Sequence, residues 1–324
     1  MNNPKVDIIF GGQYGSEGKR LFNEYYFHKY NPDTIVSNFG PNSGGFDSNG
    51  NKWTTFATNA PCLHLLSPGS IINITDFWKE QALLPKDAKI LIHENATIIT
   101  ENNIEKEKNL IQIGSTMRGT STSIIQKINR DPKNINTANK ILPEFTISAR
   151  NWFELLKSCK HIQLAIPQGH SLSLNHGFYP YCTSRNTSPQ QGLADAGIPI
   201  QWVDKIIACM RTYPIRVANH FDNIGNMIGY SGPYYQDQHE ITWNDIKQVP
   251  ELTTISKKVR RLFSFSIEQY KESCLMNGVT NVFMNFINYL NKDNCNEFYS
   301  RLNNISKISW FGYGPTINDI KEIG

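Results

Sequence analysis

Long apolar runs are missing from this chain of 324 residues; none reaches the roughly 18 residues a membrane-spanning helix needs. The opening stretch Met1-Asn2-Asn3-Pro4-Lys5 lacks the apolar centre of a secretory signal. A cytoplasmic location with no membrane partner is therefore expected. Cysteine is sparse and scattered. Cys62, Cys159, Cys182, Cys209, Cys274 and Cys295 form no Cys-x-x-Cys pair and no zinc spacing, so they read as reduced, structural thiols. Charge of one sign is also lacking: 32 Lys and Arg against 28 Asp and Glu leave +4, which suits small anionic substrates. That excess is too dispersed to mark a nucleic-acid surface. Repeats, low-complexity tracts and linkers are absent, so one domain spanning 1–324 is expected.

An apolar content of 39% and an aromatic share of 11% describe an ordinary globular chain. Strand-like runs recur at Thr34–Asn38, Ile71–Thr75, Ala88–Ile92, His161–Ile166, Ile215–Ala218, Asn281–Phe286 and Lys307–Phe311. Helical patterns at Asn151–Cys159, Ile200–Met210, Ile267–Met276 and Cys295–Leu302 alternate with several of them. This alternation predicts an α/β fold around a largely parallel central sheet, with long ligand-binding loops.

The most informative loop is Gly11-Gly12-Gln13-Tyr14-Gly15-Ser16-Glu17-Gly18-Lys19, between the apolar run Val6–Phe10 and a helical pattern over Leu21–Tyr30. Strand, glycine-rich loop with lysine, then helix is the build of a phosphate cradle, in which backbone N–H groups and the helix N-terminus face the anion. The register is not that of a Walker A loop. Taken alone, the pattern fits a tight turn equally well. Three more polar loops follow. They are Gly40–Gly45, Ile113–Thr120, and Gln168–His170 continuing to His176–Asn186, a stretch in which Cys182 sits as either a packing thiol or a nucleophile. Together they offer two anion sites and several amides and hydroxyls able to read a base. The basic cluster Lys257-Lys258-Val259-Arg260-Arg261 could grip phosphates or small carboxylates.

In this order the loops resemble those of the adenylosuccinate synthetases, over nearly the whole chain. Gly11–Lys19 is similar to that family's Gly-x-Gln-[Trp/Tyr]-Gly-Asp-Glu-Gly-Lys signature. His176–Ser184 resembles its His-Gly-x-Tyr-Pro-Tyr-x-Thr-Ser segment, Ile113–Gly119 its Ile-Gly-Thr-Thr-x-[Arg/Lys]-Gly turn, and Gly314-Pro315 a Gly-Pro near its C-terminus. The resemblance implies a ligase that phosphorylates the six-position oxygen of a purine monophosphate and displaces that phosphate with the amine of L-aspartate. It implies Ser16, Lys19 and Gln168 as catalytic residues. Gly15, Glu17, Gly18 and Lys19 would hold the donor phosphates, and Asn288, Tyr313, Gly314 and Pro315 the donor base. Ser16, Asn42, Ser115, Thr116, Gln168, Thr183 and Arg216 would hold the purine monophosphate. Thr254, Ser256, Lys258 and Arg260 would hold aspartate, and Ser16 and Gly44 would ligate Mg²⁺. A homodimer is implied too.

The departures from the family pattern choose among its branches. Ser16 stands where the signature has an Asp that acts as base and metal ligand, as in the phage 2-aminoadenylosuccinate synthetases, which act on dGMP. A small neutral serine leaves room beside a guanine 2-amino group. Asn288 aligns with an Asp that reads a GTP base, and an amide both donates and accepts, as adenine's edge requires, so ATP or dATP is the expected donor. Gly45 stands where the family has a His acting as general acid, and Arg20 follows Lys19 where the family has Gly. Arg20, His170 or His176 would then have to compensate. Lys258 replaces an arginine of the aspartate loop. The chain therefore reads as an ATP- or dATP-dependent ligase joining aspartate to dGMP. Two alternatives remain: an ordinary enzyme acting on IMP, and an impaired homologue that binds purine nucleotides as a sensor or scaffold.

Overall fold

The computed structural model describes residues 3–110, 116–134, 136–253, 258–290 and 292–323. Its centre is a ten-stranded sheet. In chain order the strands are β1 (Lys5–Gly11), β2 (Thr34–Ser37), β3 (Leu63–Leu66), β4 (Lys89–His93), β5 (Thr146–Ile147), β6 (His161–Ala165), β7 (Val203–Arg211), β8 (Asn281–Asn285), β9 (Ile308–Gly312) and β10 (Ile320–Glu322). Their spatial order is β10-β9-β8-β7-β1-β6-β2-β3-β4-β5. Every pairing is parallel except that of the edge strand β10 with β9. The order reverses around β1, so the crevice at its carboxyl end is where an open parallel sheet binds ligands.

The central strands are covered on both faces, which explains their near-continuous apolar sequence. From β1, Val6, Ile8 and Phe10 enter one core with Trp152, Leu193 and Tyr270 of flanking helices. Ile9 enters the opposite core with Phe22 and Tyr26 of the Lys19–Tyr30 helix. There Phe22 stacks on Phe283 at 4.4 Å between ring centroids and meets Trp310 edge-on at 5.1 Å. Such aromatic pairs contribute about 1 kcal/mol each beyond area burial. This packing fixes the helix whose first turn closes the glycine-rich loop.

Three expected elements differ, the first being Ile215–Ala218, which is a two-residue strand, Ile215–Arg216, outside the central sheet. The segment Ile200–Met210 is not a helix: Ile200–Trp202 is one 3₁₀ turn, and Val203–Arg211 is a nine-residue strand beside β1. Its residues alternate between the two cores, Ala208 and Met210 on one side, Ile207 and Cys209 on the other. An apolar run buried on both faces loses the polar alternation that marks a strand. Ile71–Thr75 is likewise only a two-residue strand, Ile71–Ile72, because the Asn73 side chain accepts from Asp76 N and starts the Ile74–Gln81 helix. Leu63–Leu66 is a central strand that periodicity did not indicate.

Candidate active site

The glycine-rich loop leaves β1 and folds back over its own carboxylate. Glu17 is fully buried and accepts from Gln13 N (3.1 Å), Gly15 N (2.7 Å) and Lys19 Nζ (2.8 Å). Glu17 therefore shapes the loop, and its carboxylate is spent inside it. The Gln13 amide clasps the backbone of Arg211 from both sides, accepting at 2.9 Å and donating at 3.1 Å, which ties the loop to the end of β7. Gly15, Ser16 and Gly18 all have positive φ, 89°, 60° and 86°. For Ser16 this is a strained turn that leaves it exposed between two buried neighbours. Gly18 is also required sterically, since a Cβ there would come within 2.2 Å of Asn285 Nδ2.

A cavity of about 940 Å³ opens at the carboxyl ends of the strands, lined by Gly15, Ser16, Gly18 and Lys19 and by Asn42, Gly44, Thr116, Gln168, Thr183, Arg216 and Arg260. This is at the upper end of ordinary ligand pockets. Three expected monophosphate residues meet directly. Gln168, in a left-handed conformation at φ 65°, donates from Nε2 to Asn42 O at 3.2 Å, and Asn42 Nδ2 donates to Thr183 Oγ1 at 3.1 Å. Asn42 Oδ1 is buried with no hydrogen-bond partner among the described residues. Arg118 connects the Thr116–Gly119 turn to this wall, donating to Pro41 O at 2.9 Å and to Asp76 Oδ2 at 2.6 Å.

Arg216 is almost fully buried. Its guanidinium lies over the Tyr14 ring at 4.8 Å and donates to Ser231 O and Tyr181 O. Burial pulls its pKa down to about 10, so it remains charged at neutral pH. Among the described residues, Arg20, Arg216 and Arg260, all lining the cavity, have no carboxylate within salt-bridge distance. Lys19, by contrast, pairs with Glu17 at 2.8 Å. Glu80 and Glu251 lie near enough to act on Arg20 and Arg260, but three guanidinium groups held without a direct ion pair leave the cavity attractive to a polyanion.

The remaining expected residues divide. Gly44 is exposed in the cavity, while Lys258 is exposed and does not line it. Asn288 is exposed, and neither it nor Tyr313, Gly314 or Pro315 lines the cavity; these four lie just past β8 and β9. Asn285 is the amide that reaches the loop, donating to Glu17 O at 3.2 Å. Ser115, Thr254 and Ser256 fall outside the described residues. His170 and His176 do not line the cavity. His170 is buried, with Nδ1 3.0 Å from Asn277 Nδ2 and Nε2 3.3 Å from Glu272, so both ring nitrogens are used against a flanking helix. Burial pushes the Cys182 thiol above its usual range, with Arg216 opposing, and this disfavours a thiolate.

Two site residues escaped the sequence reading. Arg211, fully buried at the end of β7, donates to Ser16 O at 3.2 Å, pairs with Glu251, and lies 3.9 Å from the Phe286 ring centroid. Glu251 lines the cavity. The available signal was the carboxyl end of a central strand, hidden by reading that strand as a helix.

Comparison with known proteins converges with this geometry. The family model for adenylosuccinate synthetase matches residues 133–296, about half the chain. A Salmonella phage PMBT28 protein named N6-succino-2-amino-2'-deoxyadenylate synthase is 35% identical, with 98% of each chain covered. The chain belongs to the adenylosuccinate synthetase family. A solved structure described as cyanophage S-2L succinoaminodeoxyadenylate synthetase, bound to dGMP and dATP as an energy donor, superposes with a TM-score of 0.90 at 29% identity, covering 99% of this chain and 96% of that one. The fully ligated adenylosuccinate synthetase of Plasmodium falciparum shares the fold, with a TM-score of 0.73 at 15% identity. Members of this family are carbon–nitrogen ligases, and the parallel-sheet α/β architecture expected from the sequence is the family's own.

Proposed function

We propose that this enzyme joins L-aspartate to dGMP, with ATP or dATP as phosphoryl donor, to give 2-amino-2'-deoxy-N6-succinyladenylate. The bond from the donor γ-phosphorus to its bridging oxygen breaks, a bond from that phosphorus to the purine O6 forms, and the purine gives up its N1 proton to water. The neutral aspartate nitrogen then attacks C6, O6 departs with its electron pair as inorganic phosphate, and the nitrogen gives up one proton to water. In this reading Gly15, Gly18 and Lys19 cradle the donor phosphates, Asn288 and Tyr313–Pro315 take the donor base, and Gln168, Asn42, Thr183 and Arg216 hold the nucleotide that is modified. Arg260, with the loop before it, takes the aspartate carboxylates.

The observation that carries the choice of dGMP is the state of Ser16. It is an exposed, neutral hydroxyl in a strained turn within a cavity lined by Arg20, Arg216 and Arg260. A small hydroxyl accepts a hydrogen bond from a guanine 2-amino group without crowding it. The relatives named above, one of them bound to dGMP and dATP, support the same assignment.

The donor set suits Mg²⁺. The described residues contain no cluster of three metal-ligating side chains. The Ser16 hydroxyl and a Gly44 carbonyl are hard, neutral oxygens, fit for an ion that keeps most of its waters and binds chiefly through substrate phosphates. Such an ion would neutralise charge on the donor phosphates. A homodimer working in the cytoplasm completes the proposal; among the described residues no helix is long and apolar enough to cross a membrane.

The test is mass spectrometry of reactions containing aspartate, Mg²⁺ and equal dGMP and IMP, with ATP, dATP or GTP in turn. A succinyl adduct of dGMP, formed with ATP or dATP in preference to the IMP adduct, is expected. Nucleotide binding without any adduct would reject the ligase reading for this chain.

A further inference from the structure

The first turn of the Lys19–Tyr30 helix has no acidic residue and begins with Lys19-Arg20, two cations at the positive end of the helix dipole. That placement works against helix stability. Arg20 is also buried, only 8% exposed, and its Nε and Nη2 have no hydrogen-bond partner among the described residues. Nη1 donates to Phe56 O (3.3 Å) and Ala57 O (3.1 Å), and the guanidinium lies 4.4 Å from the Trp53 ring centroid. The same stretch is held from the other side by the buried Glu80 carboxylate, which accepts from Thr54 N (2.6 Å), Thr55 N (2.9 Å) and Phe56 N (3.1 Å). A guanidinium on its carbonyls and a carboxylate on its amides clamp residues 53–57 as one wall of the cavity.

Gly45 lies against the stem of Arg20. A Cβ there would come within 3.0 Å of Arg20 Cβ and 3.3 Å of Cδ. The backbone at Gly45 does not have positive φ, so what a side chain would meet there is the Arg20 stem and not a forbidden chain conformation. Both residues line the cavity beside Lys19 and Gly44.

We propose that Arg20 is a positioning residue for the phosphoryl donor, locking the Trp53–Ala57 wall to the phosphate loop and adding a second cation to Lys19, and that Gly45 is glycine because Arg20 occupies its side-chain space. This rests on the proposed triphosphate-dependent reaction. It predicts coupling between two positions 25 residues apart in sequence.

The experiment is a double-mutant cycle of Gly45→Ala in the native and Arg20→Gly backgrounds, with Arg20→Met and Arg20→Lys alongside. ATP affinity is read by calorimetry, kcat and KM for ATP by product formation, and folding by Tm. Gly45→Ala should weaken ATP binding about tenfold in the native background and less than about twofold once Arg20 is glycine. Arg20→Met should lower kcat/KM for ATP about hundredfold, and Arg20→Lys about tenfold, because lysine keeps charge but loses the planar group that lies on Trp53 while Nη1 reaches both carbonyls. A purely structural Arg20 would lower Tm and leave the kcat and KM of folded protein unchanged. Equal cost of Gly45→Ala in both backgrounds, or native ATP affinity in Arg20→Met, would overturn the proposal. Calorimetry needs no turnover, so absence of succinyl product from the native protein would count against the reaction and leave the coupling to be judged on binding.

Discussion

The two ends of the central sheet are built on opposite electrostatic rules. At the amino ends, charge is matched. Asp7 of β1 is fully buried, and its Oδ2 takes Tyr26 OH at 2.6 Å and His161 Nε2 at 2.6 Å, with Lys5 Nζ at 3.7 Å. Asp33 accepts from Lys160 N and His161 N across the start of β6. At the carboxyl ends Arg211 pairs with Glu251, but Arg20, Arg216 and Arg260 have, among the described residues, only carbonyls and aromatic rings as direct partners. There the strands run into left-handed, non-glycine residues: Ser16 after β1, Gln168 after β6 and Phe286 after β8. Each costs on the order of 1 kcal/mol or more in backbone strain. One end is arranged for stability; the other keeps strain and cations without a direct ion pair, which a polyanionic ligand would engage on binding.

Substitutions should separate the two ends. The largest effect is expected at the carboxyl end. Lys19→Met should lower product formation by about 10³-fold or more, since it removes the loop's lysine cation from phosphoryl transfer; steady-state assays measure this. Ser16→Asp should reduce kcat/KM for dGMP by roughly 10–200-fold through crowding and should narrow the preference over IMP. Competition between the two monophosphates reads the ratio, and an unchanged ratio would remove Ser16 from substrate choice. Arg211→Met should cost about tenfold in kcat/KM by freeing the Ser16 carbonyl, since hydrogen bonds to charged groups contribute about 1.5–3 kcal/mol.

The amino end should respond in stability alone. Asp7→Asn is expected to cost about 1–2 kcal/mol in urea unfolding while leaving kcat unchanged. Burial by itself would raise the Asp7 pKa, but the hydrogen bonds from His161 and Tyr26 and the charge of Lys5 outweigh it and hold the carboxyl below its usual range. A depressed carboxylate contributes stability that is present above its unfolded pKa, about 3.9, and is lost as pH falls through the lower folded value. The native protein should therefore lose stability more steeply than Asp7→Asn below about pH 4. Parallel acid profiles for the two proteins would contradict this.

The sequence was informative where chemistry constrains residue types tightly. Gly11–Lys19 could be read as a strand–loop–helix cradle because its glycines take positions no side chain tolerates, Gly18 against Asn285 among them. Asn42, Gln168 and Thr183, expected at one site, lie together, although only folding shows that Asn42 joins the other two, through its backbone carbonyl and its side-chain amide. Periodicity failed at Val203–Arg211, where burial on both faces erased the alternation and hid Arg211. Composition could not show that Arg20 and Gly45 share one volume, because that contact joins a helix to a distant loop. Nor could it show that His170 faces a flanking helix, since a histidine beside a glycine-rich loop reads alike whether buried or catalytic.

The most direct test of the account is a crystal structure with dGMP, Mg²⁺ and a non-hydrolysable ATP analogue. The account predicts the analogue's phosphates on the Gly15–Lys19 amides, the dGMP phosphate among Gln168, Thr183 and Arg216, and the guanine 2-amino group within hydrogen-bond distance of the Ser16 hydroxyl. A guanine whose amino group faces away from Ser16, or nucleotides bound outside the carboxyl-end cavity, would contradict it.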